Sequence, residues 1–198
     1  SDQAFGSCAM GVSPDQRLFY YIQEHTSDSI VAVGLGMASL DMQVVEFTGL
    51  DVDRLVGRGT VSPDRRIFVV GARLGPHRYG VLACDMETGE WEIVHEGGDE
   101  IWNPHTQVEP CEGGHILIQH NRGARLEDDG TVIRGCGDEG ASLYVIDIDG
   151  KNRLDLPVGK PWTWSLQGHQ VWDPGTAGDV FFTTNYPDEE AARREGVL

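Results

Sequence analysis

VSPDRRIFVVG (Val61–Gly71) carries the reading of the fold, because VSPDQRLFYYI (Val12–Ile22) repeats it almost residue for residue. Each copy is a polar turn built on Ser-Pro-Asp, followed by a short run of β-branched and aromatic residues. Looser copies are VEPCEGGHILIQ (Val108–Gln119) and VWDPGTAGDVFFTT (Val171–Thr184). The turn prolines are Pro14, Pro63, Pro110 and Pro174, and the first two intervals are about 48 residues each. A period of that size is the signature of a repeat array such as a β-propeller.

Further strands follow each hairpin. YGVLACDMETGEWEIVHEG (Tyr79–Gly97) reads as strand, turn, strand, and SLYVIDIDGKNRLDLPV (Ser142–Val158) does the same around DIDGKN. Two hairpins per repeat predict a four-stranded blade. The expectation is therefore an all-β fold: a β-propeller with four blades visible, one domain over residues 1–198, incomplete on its C-terminal side. The longer third interval holds RGARLEDDGTVIRGCGDEGAS (Arg122–Ser142), read as an inserted polar loop. PDEEAARREGVL (Pro187–Leu198) reads as a short helix or a frayed tail.

Composition narrows the function classes. The formal net charge is −17, with lysine confined to Lys151 and Lys160. Such a surface argues against nucleic acid or anionic membrane as partner. No apolar run approaches the length of a membrane span. The four cysteines, Cys8, Cys84, Cys111 and Cys136, are widely spaced and contain no CxxC pair. They read as free buried thiols of a reducing, cytoplasmic compartment.

The densest chemistry lies in IWNPHTQVEPCEGGHILIQHNRG (Ile101–Gly123). Counting five residues back from each turn proline gives Ala9, Arg58, His105 and His169. On equivalent strands these point into one common space, and two residues further on Gln107 shares the face of His105. The second strand of the hairpin returns His120, Asn121 and Arg122 to the same rim, with Arg73 and Asn185 at matching places in neighbouring repeats. Two readings stand side by side. In one, these polar groups line a wet channel mouth. In the other, His105, Gln107, His120 and His169 surround a divalent metal, since imidazole nitrogen and amide oxygen suit Mn²⁺ or Zn²⁺. Trp102 and its neighbours Trp162, Trp164 and Trp172 offer aromatic faces for packing or for a sugar. His115 falls at the turn end of the hairpin, away from that rim.

NPHTQVEP, QHNRG and GHQVW, in that order on these repeats, resemble the oligogalacturonate lyases, within the wider set of TolB-like propellers that share the SPD turns. The resemblance runs from about Ala9 to Asn185. It implies a seven-bladed ring and β-elimination of short galacturonate oligomers with a Mn²⁺-like ion. It places His105, Gln107 and His169 at metal-ligand positions with His120 adjacent. Arg58 stands where the preceding blade would contribute to the ring, and no histidine matches the family's catalytic base. For that chemistry Arg58, Arg73 and Arg122 are the candidates to stabilise charge, with Asn121, Asn185 and Trp102 as substrate contacts. The expected partner is a small acidic oligosaccharide. The alternatives are a non-catalytic propeller that binds carbohydrate or protein at the same mouth, and a different metal-dependent hydrolase.

Overall fold

The computed structural model describes the backbone of residues 10–12, 18–25, 29–36 and 42–184, and side chains over 45–184 apart from 167. The readings placed on Ala9, Cys8, Asn185 and the C-terminal helix lie outside those residues.

The repeated hairpins are present. In the first unit β1 (Met10–Val12), β2 (Leu18–His25), β3 (Ser29–Gly36) and β4 (Met42–Thr48) form one antiparallel sheet in sequence order. In the second, β5 (Arg54–Val61), β6 (Ile67–Gly75), β7 (Arg78–Asp85) and β8 (Trp91–Gly97) do the same. The SPD turn that joins β5 to β6 is held by its own side chains. Ser62 Oγ donates to Asp64 Oδ1 at 2.5 Å and accepts from the Ile67 N–H at 2.9 Å. Asp64 Oδ1 also accepts from the Arg66 N–H at 3.0 Å, closing the turn locally. In the third copy one residue does this work. The Glu109 carboxylate, 1% exposed, accepts from the backbone N–H groups of Cys111, Glu112 and Gly113. Burial pushes its pKa up, but these three donors outweigh that and hold it below the usual glutamate range.

The remaining strands depart from the expected propeller. β9 (Gln107–Val108), β10 (His115–Asn121), β13 (Ala141–Asp147) and β14 (Leu154–Asp155) form a third meander, while β15 (Leu166–Trp172) and β16 (Val180–Thr184) join it instead of opening a blade of their own. The link is a single pair, Ala141 opposite Leu166. The result is a six-stranded sheet between the third and fourth repeats. The fold is therefore all-β but built of open sheets, and among the described residues none closes or curls into a ring of four-stranded blades. The physical reason lies in the fourth repeat. Its hairpin β15–β16 has no second hairpin beside it among the described strands, so its edge pairs with β13. The insertion after β10 is not a plain loop either: β11 (Arg125–Leu126) and β12 (Val132–Arg134) pair as a small hairpin of their own.

Both faces of the inner strands are buried, which fits their near-continuous apolar runs. Phe68, Val70 and Leu82 pack toward Phe47 of the first unit. Val69, Tyr79 and Val81 pack the other way, against Ile116, Ile118 and Tyr144. Leu117 and Leu143 form a third core with Leu166 and Trp172. Consecutive residues of β10 thus face different neighbours. Among the described cysteines Cys84 is buried, but Cys136 is half-buried and Cys111 is exposed, against the expectation of uniformly buried thiols.

Candidate functional site

His105 does not sit on a strand. β9 begins at Gln107, and His105 occupies the loop before it with φ +46°, a left-handed conformation uncommon for a residue with a side chain. The surrounding backbone is pinned on several sides. The Pro104 carbonyl accepts from the Gln119 N–H at 2.7 Å, and the Asn103 carbonyl accepts from Asn121 Nδ2 at 3.2 Å. Thr106 Oγ1 donates to the Arg58 carbonyl at 3.1 Å, and Thr60 Oγ1 accepts from the Val108 N–H at 2.7 Å. The strained conformation persists because its neighbours over-determine it.

The imidazole is half-buried and oriented at both ends. Asn103 Nδ2 lies 2.8 Å from Nε2, and the Gly168 backbone stands close to the ring. Burial pushes its pKa below the ordinary histidine range, and the charges of His169 and Arg58 push it the same way. His105 is therefore a neutral imidazole near neutral pH. Arg58, His105 and His169 share one neighbourhood, with Arg58 and His169 exposed at its edge.

The floor of this neighbourhood is the seam where β15 crosses β9 and β10. Gln107 Nε2 donates to the Gln170 carbonyl at 2.8 Å, and Trp172 Nε1 donates to the Gln107 carbonyl at 3.0 Å. Gln119 Nε2 donates to Asn121 Oδ1 at 2.6 Å. Gly168, at φ +78°, lets β15 pass so close that a Cβ there would lie 3.2 Å from Gln119 Oε1. Gln119 and Gln170 were not singled out in the sequence. Both read as ordinary polar strand residues, and only the path of β15 places Gly168 against Gln119.

The other expected site residues lie elsewhere. On β10, Leu117 is opposite Gln107, so Gln119 and Asn121 share that face while His120 points to the other. His120 stands edge-on to Tyr144, ring centres 5.9 Å apart. Burial, then the Arg153 charge, lowers its pKa. Arg73 is 9% exposed, paired with Asp53 at 3.1 Å and donating to the Asp128 carbonyl. Arg122 donates to the carbonyls of Gly140, Lys160 and Glu139 at 2.9, 2.7 and 2.6 Å. These two arginines tie down loops. Trp102 Nε1 donates to the Gly135 carbonyl at 3.0 Å, and its ring packs against the core between the second unit and β10. His115 is exposed at the turn, 3.3 Å from Asp147.

The metal expectation is corrected on the same geometry. Among the described residues no three His, Cys, Asp or Glu side chains are grouped to hold an ion. The four side chains His105, Gln107, His120 and His169 do not form one set, because strand alternation puts His120 across the sheet from Gln107. Asn103 already engages Nε2 of His105.

No family model matches the chain, and no curated protein matches it. An oligogalacturonate lyase structure from Vibrio parahaemolyticus is 17% identical over 74% of this chain and 38% of its own, with TM-score 0.49. A candidate TolB from Agrobacterium tumefaciens is 18% identical over 87% of this chain and 55% of its own, with TM-score 0.47. A candidate dipeptidyl aminopeptidase IV from Bacteroides ovatus is 13% identical over 90% of this chain and 27% of its own, with TM-score 0.46. The chain spans little more than half, or less, of each of these proteins. Among the described residues no helix is long and apolar enough to cross a membrane.

Proposed function

We propose that the chain acts on short uronate-containing oligosaccharides by β-elimination at the His105 neighbourhood. The observation that carries the reading is His105 itself: a neutral imidazole in a strained loop, with Arg58 and His169 beside it. The likeness of NPHTQVEP, QHNRG and GHQVW to the oligogalacturonate lyases supports the same reading from the sequence. Arg58 pairs with the uronate carboxylate and neutralises it, which acidifies the proton on the adjacent carbon. His105 takes that proton once Asn103 swings off its Nε2. The freed electron pair forms the carbon–carbon double bond, the β carbon–oxygen bond breaks, and the leaving oxygen takes a proton from His169. The acidic surface does not forbid an anionic substrate here, because charges beyond roughly 8 Å are screened at physiological salt.

The test is the ultraviolet absorbance of the unsaturated uronate when the chain is incubated with digalacturonate, with and without added Mn²⁺. A rise is expected, and it should vanish in His105→Gln. A rise that appears only with Mn²⁺ would show that a cation belongs to the reaction. No rise under either condition sinks the lyase reading.

One contact favours a second reading, a non-catalytic carbohydrate-binding role. Asn103 Nδ2 already occupies the Nε2 lone pair that a base needs. This reading predicts digalacturonate binding with no change in absorbance.

A further inference from the structure

The inserted hairpin β11–β12 is held to the second unit at two places. Its base is fixed by Leu126, whose N–H donates to Asp99 Oδ2 at 2.9 Å and whose side chain is buried in the core between that unit and β10. Its tip, residues 127–130, is held by three side chains. Arg73 donates to the Asp128 carbonyl, Arg54 Nη2 donates to the Gly130 carbonyl at 3.4 Å, and His77 Nε2 lies 3.0 Å from Asp128 Oδ1. Arg54 and Arg73 are directly opposite each other on β5 and β6, a pairing of like charges. Gly130 lies so close to both that a Cβ there would sit 2.9 Å from Arg54 Nη2 and 3.2 Å from Arg73 Nε. The tip carbonyls, and Asp53 at 3.1 Å from Arg73, offset that repulsion.

Of these holds on the tip, the one from His77 depends on a proton. His77 stands in the turn between β6 and β7 at φ +53°, and its other ring nitrogen, Nδ1, lies 3.0 Å from Asp99 Oδ1. Ionised carboxylates only accept, so both ring nitrogens must carry hydrogen and the imidazole between them is a cation. Losing the proton turns a lone pair toward one carboxylate and breaks that contact. Asp99 is 18% exposed and also tied to Leu126, whereas Asp128 is 90% exposed, so Asp128 is the partner that yields. Other charged groups nearby are engaged elsewhere: Arg78 pairs with Glu96 at 3.1 Å, Glu100 accepts from the Gly98 N–H, and Asp129 accepts from the Thr131 N–H. The hydrogen bonds to Asp99 and then Asp128 raise the His77 pKa above its ordinary value. The latch is therefore complete below about pH 6.5 and is lost as pH rises through the folded value.

We propose that β11–β12 is a strap latched by protonated His77, and that its tip lifts from Arg54 and Arg73 when His77 loses its proton. The base stays anchored by Leu126, so the motion is a local opening of residues 127–131 and not the loss of the hairpin. The His77 side chain is half-exposed and solvent screens its pairs, which keeps the effect to a few-fold.

The experiment is amide hydrogen exchange followed by mass spectrometry, corrected for the intrinsic effect of pH, on the wild type, His77→Asn and Asp128→Asn. Peptides covering residues 124–135 report the strap, through N–H groups such as those of Glu127 and Gly130, and β10 is the internal control. In the wild type the strap should lose protection by at least about threefold between about pH 6 and about pH 8, with β10 unchanged. His77→Asn suits the left-handed backbone and should show the weaker protection at both pH values. Asp128→Asn should keep the protection and remove its pH dependence, because an amide can accept from a neutral imidazole N–H or donate to its lone pair. A wild-type strap equally protected at both pH values overturns the proposal. So does a decline that survives in His77→Asn, or one that β10 shares.

Discussion

On one face of β10, His120 lies edge-on to Tyr144, whose hydroxyl is 2.7 Å from His95 Nε2, and Arg153 stacks over the same tyrosine at 3.9 Å. On the other face, one residue along, Gln119 ends in an oxygen with no hydrogen-bond partner among the described residues. Both faces bury polar groups between packed sheets, and both rely on a glycine for close approach. The Tyr144 side spends its polar atoms on one another and joins the second unit to the third. The Gln119 side leaves part of its hydrogen-bonding capacity unspent. A seam whose groups satisfy each other supports the fold, whereas one with unsatisfied buried amides forgoes part of that support.

The Tyr144 side should therefore break hardest when altered. Gly150, at φ +81°, lies so close to β8 that a Cβ would sit 1.8 Å from the Val94 carbonyl oxygen. Gly150→Ala combines that clash with an unfavourable backbone conformation, and the loss should exceed about 3 kcal/mol in urea denaturation. Gly178 provides the control: its φ is +83° but nothing lies within 4 Å of a Cβ there. Gly178→Ala should cost only about 1 kcal/mol. Equal losses at the two sites would mean that backbone conformation alone, and not the joint with β8, sets the cost.

Tyr144→Phe tests the hydroxyl. It keeps the ring and the His120 contact but leaves His95 Nε2 without its donor. The expected cost is about 1–2 kcal/mol at neutral pH. An unchanged midpoint would show that His95 finds another partner, and the contrast between the two faces would lose its best evidence.

The difference between the faces also marks what a sequence reader can see. The SPD hairpins were legible because their turn chemistry is local: Ser62, Asp64 and the backbone between them close the turn unaided. The matching positions of Arg58, His105 and His169 followed from the same repeat. The side on which His120 falls did not, because the returning strand has period two and a one-residue slip in register exchanges the faces. The pairing of Leu117 with Gln107 sets that register, and no residue type announces it. Gln119 and Gln170 were invisible for a related reason. β15 joins β13 at one pair and then reaches the Gln107 side chain of β9, a path no repeat spacing encodes. Arg73 and Arg122 looked like charge for a substrate, but each is consumed by loop carbonyls distant in sequence.

A smaller effect should appear with pH. His95 and His120 are both held below the ordinary histidine value of about 6.5, first by burial and then by the Arg153 charge. Glu100 opposes the shift on both, Asp155 opposes it on His120, and Arg122 adds to it there. A histidine with a lowered folded pKa binds fewer protons folded than unfolded in the interval between the two values. Its contribution is fully present above about pH 6.5 and is lost as pH falls through the folded value. His105 adds to the same trend from the other seam. His77 opposes it: hydrogen bonds to Asp99 and Asp128 raise its pKa, so its contribution is present at low pH and lost as pH rises. Melting temperatures should therefore fall on going from about pH 7.5 to about pH 5. His95→Gln or His120→Asn should flatten the decline, and His77→Asn should steepen it. A decline that ignores all three substitutions would place acid sensitivity outside these joints.

The smallest effect is the most discriminating. Arg153 is half-exposed, bridged to Asp155 at 2.7 Å and stacked on Tyr144 at 3.9 Å. At neutral pH, Arg153→Ala should cost about 0.5–1 kcal/mol through the lost cation–π contact. In acid the balance shifts. His95 and His120 then carry protons, and the guanidinium that stacked on the tyrosine repels both. Removing it should cost less, because the relief of that repulsion offsets the lost stacking. The measurement is the melting-temperature difference between wild type and Arg153→Ala at the two ends of the same pH range. A gap that narrows in acid shows that the Tyr144 face works as one electrostatically coupled unit. A constant gap would leave Arg153 as packing alone and reduce that face to a set of independent contacts.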